Sequence, residues 1–272
     1  MRNFSGTYSK NTKIIADFII YFVLLIVVVV TLYPVIYIFI ISFTPISQVA
    51  SGKLLIIPRA FTMVAYKFAL EQAGILSAYK VTIFVTVVGT LINLFMTSLG
   101  AYVLSKKHLP GRKLLTMFVA VQMFFNGGII PFYIVVKNLR MTNTVWALML
   151  PWSILTFYLL IMRNFFTNLP ESLSESARID GCSEFRTMWS IIFPISKPIF
   201  ATLCLFYAVW HWNEYFWSML FINKSQLMPL QLIIRRMYEG SVDMMSFESS
   251  LPPPVESVRA AAVVIKIGRA HV

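Results

Sequence analysis

Residues 18–43 form an apolar run with no charged side chain, broken only by tyrosines, Thr31, Ser42 and Pro34. A membrane-crossing helix needs about 20 such residues. A secretory leader has an apolar stretch of only roughly 7–15 residues followed by small residues at a cleavage site. The run is too long for that, so it reads as an uncleaved first span kinked at Pro34. Similar runs recur at 81–104, 114–136, 144–166 and 199–222. The chain is 58% hydrophobic and 12% charged, with mean hydropathy +0.75. A soluble core does not need that much apolar surface, whereas a bundle of spanning helices does.

The net charge of +12 would suggest nucleic acid in a soluble protein. Here Lys and Arg mostly flank apolar runs, as anchoring at a lipid interface requires, so the partner they indicate is membrane lipid and not nucleic acid. The segment Lys106-Lys107-His108-Leu109-Pro110-Gly111-Arg112-Lys113 carries four Lys/Arg in one tight turn. The positive-inside rule places it in the cytoplasm. The N-terminus and the loop 167–197 then share that side, and 44–78, 137–143 and 223–254 face outward.

Residues 255–267 number thirteen and include Glu256, Arg259 and Lys266. At 1.5 Å per residue they cover roughly 20 Å, short of the roughly 30 Å hydrocarbon core. The expectation is a sixth span cut short, with 266–272 a non-native tail of the kind excluded from fold reasoning. Cys182 and Cys204 have neither disulfide nor metal spacing. His108, His211 and His271 indicate no chemistry, and no Gly-rich phosphate loop is present. No cofactor, metal or catalytic residue is expected.

Residues 170–198 are polar and lie between two apolar runs. Pro170 suits a first helical position, and Glu171 and Glu175 favour the positive end of the helix dipole. Leu169, Leu173 and Ala177 share a face. Gly181 suits a left-handed helix end; Ser183 can cap a second short helix that Pro194 ends. The pattern predicts helix, glycine corner, helix. Such a knob, with carboxylates at Glu175 and Asp180, fits a groove on a soluble partner; a solvated connecting loop is the alternative.

The order Glu175-Ser176-Ala177-Arg178-Ile179-Asp180-Gly181, then Ile191-Ile192-Phe193-Pro194, resembles the EAA loop. That loop marks the membrane subunits of binding-protein-dependent ABC importers. Ser176 and Cys182 stand where the family usually has Ala, and Phe193 where it usually has Leu. The resemblance implies that Glu175, Ser176, Ala177, Asp180, Gly181, Ile191 and Pro194 couple the chain to an ATPase. In the fifth run, Trp212-Asn213-Glu214-Tyr215 resembles an element of maltose-type sugar permeases. Asn213 would lie about 21 Å along that helix, where polar groups face a cavity or a partner. Trp212, Asn213 and Glu214 are substrate-path candidates; an interfacial aromatic belt is the alternative for the aromatics. Phe125-Asn126-Gly127-Gly128-Ile129-Ile130-Pro131 resembles an oligosaccharide subgroup and adds Asn126 to the path. There two glycines and a proline either break the helix or admit a close neighbour.

The resemblance implies an all-α integral membrane protein, a six-span bundle of the type I ABC importer permease fold. Residues 1–80 would hold the first span and outer loop, and 81–265 the permease core with the coupling loop 167–197. It also implies a sugar or oligosaccharide substrate. The implied partners are a second homologous permease, two ATP-binding subunits and an extracytoplasmic solute-binding protein in a bacterial cell membrane. An ion-coupled secondary transporter would show internal repeats and paired intramembrane carboxylates; only Asp17 and Glu214 lie in or near the first five runs. An importer of a non-sugar solute is the nearer alternative.

Overall fold

The computed structural model describes residues 10–45, 48, 60–64, 66–67, 75–125 and 127–239, and all regular structure among them is helical. The expected sixth span, the tail 266–272 and Asn126 lie outside the described residues. The chain forms two compact units, one of Met1–Gly74 with Met237–Val272 and the other of Ile75–Arg236.

The first unit contains α1 (Lys10–Ser42), continuous through Pro34. Every side chain from 14 to 36 is exposed and apolar residues cover all faces, the character of a helix solvated by hydrocarbon rather than water. Beyond its end the backbone N–H of Thr62 donates to the Phe43 carbonyl at 2.9 Å, and the Tyr66 and Ser42 hydroxyls pair at 2.8 Å.

The second unit is organised on α2 (Ile75–Ser105), a 31-residue helix that extends past both ends of the expected 81–104 span. The expected span 114–136 is instead two ten-residue helices, α3 (Arg112–Val121) and α4 (Ile129–Asn138). Each covers about 15 Å, half the hydrocarbon thickness. Pro131 sits in the first turn of α4, and Gly128 before it adopts φ 86°, so the glycine–proline signal is a break.

The expected span 144–166 begins as two 3₁₀ turns, Val145–Leu148 and Leu150–Trp152, and becomes α-helical only in α5 (Thr156–Thr167), at a bend of 47°. Pro151 lacks the N–H an α-helix would use there and disfavours helical geometry in Leu150 before it. After α5 come α6 (Ser172–Ile179) and α7 (Glu184–Ile195).

Pro194 does not end α7. The helix widens over Met188–Ile192 into π geometry, with Phe193 N–H donating to Met188 O. This wide turn gives room to the carbonyl that the proline ring would otherwise meet. The chain turns only at Ser196, by 84°, into α8 (Lys197–Asn213). The expected span 199–222 also breaks, because Glu214 is extended (ψ 121°) before α9 (Phe216–Phe221). The expected loop from 223 contains α10 (Leu230–Glu239), which carries Arg235 and Arg236.

Among the described residues, Ile14–Ser42 and Ile75–Ser105 are each long and apolar enough to cross a membrane; two bent pairs, Val145–Trp152 with Thr156–Thr167 and Glu184–Ile195 with Lys197–Asn213, raise the number to four if each is one span. The second unit's core lies where α2 meets α5 and α8: Ala101, Leu159, Met162, Phe166, Leu203 and Tyr207 are buried together. Lipid tails are as apolar as these side chains, so close packing and interhelical hydrogen bonds hold such a bundle.

Candidate coupling site and translocation path

The 170–196 loop folds as helix, corner, helix. Gly181 adopts φ 73°. The Cys182 N–H donates to Ala177 O at 2.8 Å and the Gly181 N–H to Arg178 O at 3.0 Å. These two bonds close α6 with a left-handed glycine cap. The Ser183 hydroxyl accepts from the Arg186 N–H at 3.3 Å and opens α7. α6 starts at Ser172, two residues after the position expected from Pro170.

Ala177 is the inward-facing residue of α6, while Glu175, Ser176, Asp180, Gly181 and Pro194 are exposed and Ile191 is half-buried. Ile179, 86% exposed, and Phe185, 61% exposed, give this polar knob two bare apolar tips.

Nothing in the sequence of the basic turn 106–113 announces a contact. In the structure that turn grips the loop. Lys107 Nζ donates to Glu171 Oε2 at 2.7 Å, and His108 Nε2 lies 3.5 Å from Glu171 Oε1. Lys106 Nζ is 2.9 Å from Glu184 Oε2, which also accepts from the Tyr102 hydroxyl at 2.8 Å. Arg178 donates to Glu184 Oε1 through Nε at 3.1 Å and Nη2 at 2.8 Å.

The Lys106 bond, with those of Arg178 and Tyr102, outweighs partial burial and holds the Glu184 carboxyl down at about 2. A depressed carboxyl contributes stability above its ordinary value of 4.5 and loses it as pH falls toward about 2. The Glu184 carboxylate is therefore ionised throughout the neutral range. The Lys107 bond likewise lowers Glu171.

Of the path candidates, Trp212, Asn213 and Glu214 fall among the described residues. Trp212 is half-buried and meets Tyr79 at a ring separation of 6.4 Å. Asn213 is exposed at the end of α8, and its Nδ2 donates back to Val209 O at 2.8 Å. Glu214 is half-buried and its Oε1 accepts from the Trp217 N–H at 2.8 Å, which caps α9. Both side chains are thus hydrogen-bonded to the backbone at the break in the fifth run.

A buried polar seam runs between α2 and α8. His211 Nε2 lies 2.7 Å from Asn93 Oδ1, and Asn93 Nδ2 donates to the carbonyl of Trp152. The Thr97 and Tyr207 hydroxyls pair at 2.7 Å, and the Tyr207 hydroxyl accepts from the Leu155 N–H at 3.3 Å. Gly89 admits the His211 ring, since a Cβ there would lie 2.5 Å from Nε2. Read alone, His211 carried no signal. The spacing did carry one: Gly89, Asn93 and Thr97 are four apart on α2, as are Tyr207 and His211 on α8, which puts each set on one helical face.

Next to the seam, where the fourth and fifth runs break, aromatic rings gather. Trp152 meets Trp217 at 4.9 Å, Phe132 at 5.1 Å and Trp210 at 5.6 Å between ring centroids. On the other side, Asn143 (φ 59°) accepts through Oδ1 from the N–H groups of Asn223 at 2.7 Å and Lys224 at 3.2 Å, clasping the segment after α9.

One long helix braced by interrupted ones, with a helix–glycine–helix knob beside its basic end, has the architecture of an ABC importer permease. The chain belongs to the family described as the binding-protein-dependent transport system inner membrane component, whose profile matches residues 73–266. It is 43% identical over 240 residues to Protein LplC of Bacillus subtilis (strain 168), covering 87% of this chain and 81% of that one. It is 39% identical over 253 residues to the polygalacturonan/rhamnogalacturonan transport system permease protein YtcP of the same organism, covering 92% and 88%. A chain of a solved bacterial ABC transporter involved in the import of the acidic polysaccharide alginate superposes with a TM-score of 0.85 at 29% identity, over 98% of this chain and 96% of that one. The protein is a membrane transport subunit and not an enzyme.

Proposed function

We propose that this chain is one of two membrane-spanning subunits of an ATP-driven importer that carries an oligosaccharide into a bacterial cell. The observation that carries the reading is the 39% identity to a polygalacturonan/rhamnogalacturonan permease across 92% of this chain. The permease core is 81–265, in a six-span bundle with a cytoplasmic N-terminus. A homologous permease completes the pathway, two ATP-binding subunits sit beneath the 167–197 loops, and an extracytoplasmic binding protein delivers the sugar.

In this reading ATP binding closes the ATPase pair and the segment Glu175–Gly181, with Ile191 and Pro194 behind it, moves with them. The spans then rock from inward- to outward-facing. The exposed Ile179 and Phe185 support an ATPase groove as their cover. Trp212, Asn213, Glu214 and Asn126 belong to the sugar path, and the tryptophans around Trp152 supply ring faces beside it. Pyranose rings stack on such faces through their C–H edges.

Affinity purification of the tagged chain from gently solubilised native membranes, with mass spectrometry of what accompanies it, tests the reading. A Walker-type ATPase and a second EAA-bearing permease are expected. Recovery of the chain alone, from membranes that keep other importers intact, overturns it. Uptake of a radiolabelled trigalacturonide by cells with and without the gene then tests the substrate class.

A further inference from the structure

Glu184 lies within the coupling loop but has been given no role of its own so far. Its carboxylate takes Arg178 from the last turn of α6 on Oε1, and Lys106 and Tyr102 from the end of α2 on Oε2. Lys106 Nζ also sits 4.2 Å over the Tyr102 ring. At the other end of α6, Glu171 precedes the helix and is held by Lys107 at 2.7 Å. The helix is thus tied at both ends to the segment 102–107.

We infer that Glu184 is a positioning residue for transport, the joint that makes α6 and the end of α2 move as one body. This inference rests on the reading of 167–197 as the ATPase-coupling segment. Without the joint, α6 and α7 meet at the Gly181 corner, and a push on α6 is taken up by bending there. With it, the push reaches α2, which carries the Asn93–His211 and Thr97–Tyr207 contacts to α8. The cluster's side chains are partly exposed, so it adds little to fold stability. Its role is to fix a geometry. Arg178 approaches Glu184 through two nitrogens, which sets orientation as well as distance.

The complete transporter in proteoliposomes provides the test, with Cys182 and Cys204 changed to serine and spin labels at Ser172→Cys on α6 and Val103→Cys on α2. Distances are measured without nucleotide and after trapping with ATP and vanadate. The expected wild-type distance is the same in both states, while Glu184→Gln shifts or broadens it on trapping and Glu184→Asp restores it. Trigalacturonide taken up per ATP should fall about two- to thirtyfold in Glu184→Gln, the range that mutations along a coupling network produce.

A wild-type distance that changes on trapping, or a Glu184→Gln distance that stays constant, overturns the joint. So does loss of the partner subunits in Glu184→Gln, which would make the residue an assembly element. Gly181→Val separates this failure from failure of the underlying reading. If that variant also leaves sugar moved per ATP unchanged, 167–197 is not the coupling segment. If it uncouples while Glu184→Gln does not, only the joint falls.

Discussion

Replacing Gly89 by alanine probes the tightest approach between α2 and α8. The added Cβ would lie 2.5 Å from His211 Nε2, 2.7 Å from Cε1 and 3.0 Å from Cδ2. His211 is 3% exposed, so its ring is enclosed by protein and any shift must be made against neighbouring side chains. Overpacking of this kind costs about 1–3 kcal/mol. The ring must also leave Asn93 Oδ1, now at 2.7 Å, and interhelical bonds in membrane proteins contribute roughly 0.6–1.7 kcal/mol. The expected loss is about 2–5 kcal/mol.

At about 2–4 °C per kcal/mol for a chain of this size, the melting midpoint of the purified protein in lipid nanodiscs should fall by roughly 4–20 °C. His211→Ala should destabilise by a similar amount, through the cavity and the stranded Asn93 oxygen. In the double variant the new methyl occupies space the ring has vacated, so the loss should be at least about 1 kcal/mol less than the sum of the singles. A Gly89→Ala midpoint within a degree of wild type, or strict additivity of the two losses, would refute the packing argument.

At the corner of the coupling loop, a Cβ on Gly181 would meet nothing within 4 Å. Sugar moved per ATP should therefore follow tolerance of φ 73° rather than side-chain size, in the order Gly, Asn, Ala, Val, with a backbone cost of roughly 1–2 kcal/mol for an ordinary residue; a Val variant as well coupled as wild type would end this account. Asn213→Ala should reduce uptake while leaving subunit recovery and ATPase control unchanged, and failure to recover the complex would make its bond to Val209 structural. Glu214→Gln keeps an acceptor for the Trp217 N–H and should melt as wild type, whereas Glu214→Ala should lose about 1 kcal/mol, as a lost helix cap does; equal melting of the two would show the cap to be idle. Asn143→Ala removes an acceptor shared by two N–H groups and a residue suited to φ 59°, so it should cost about 2–3 kcal/mol, and Asn143→Gly should recover only the backbone part, which thermal melting of all three proteins checks.

The amino-acid sequence by itself determined the class of environment and the local grammar of the coupling loop. Runs of twenty and more apolar residues admit few solvents besides lipid, and period and length are readable without any fold. The loop was legible for the same reason: capping serine, left-handed glycine and inward alanine act within a few residues of one another, and each stands where the spacing put it. Pro194 was misread because a proline's effect depends on whether the turn before it can widen, and the Met188–Ile192 turn does. Tertiary structure alone decided which runs are whole. Composition could not distinguish the continuous α2 from the interrupted runs after it, since a break inside a membrane survives only where neighbouring helices satisfy the freed backbone groups. Contacts across long sequence separations had to come from the fold as well. Glu184 meets Lys106 and His211 meets Asn93 only because α2 is brought against α7 and α8, and nothing near either residue in the chain announces its partner.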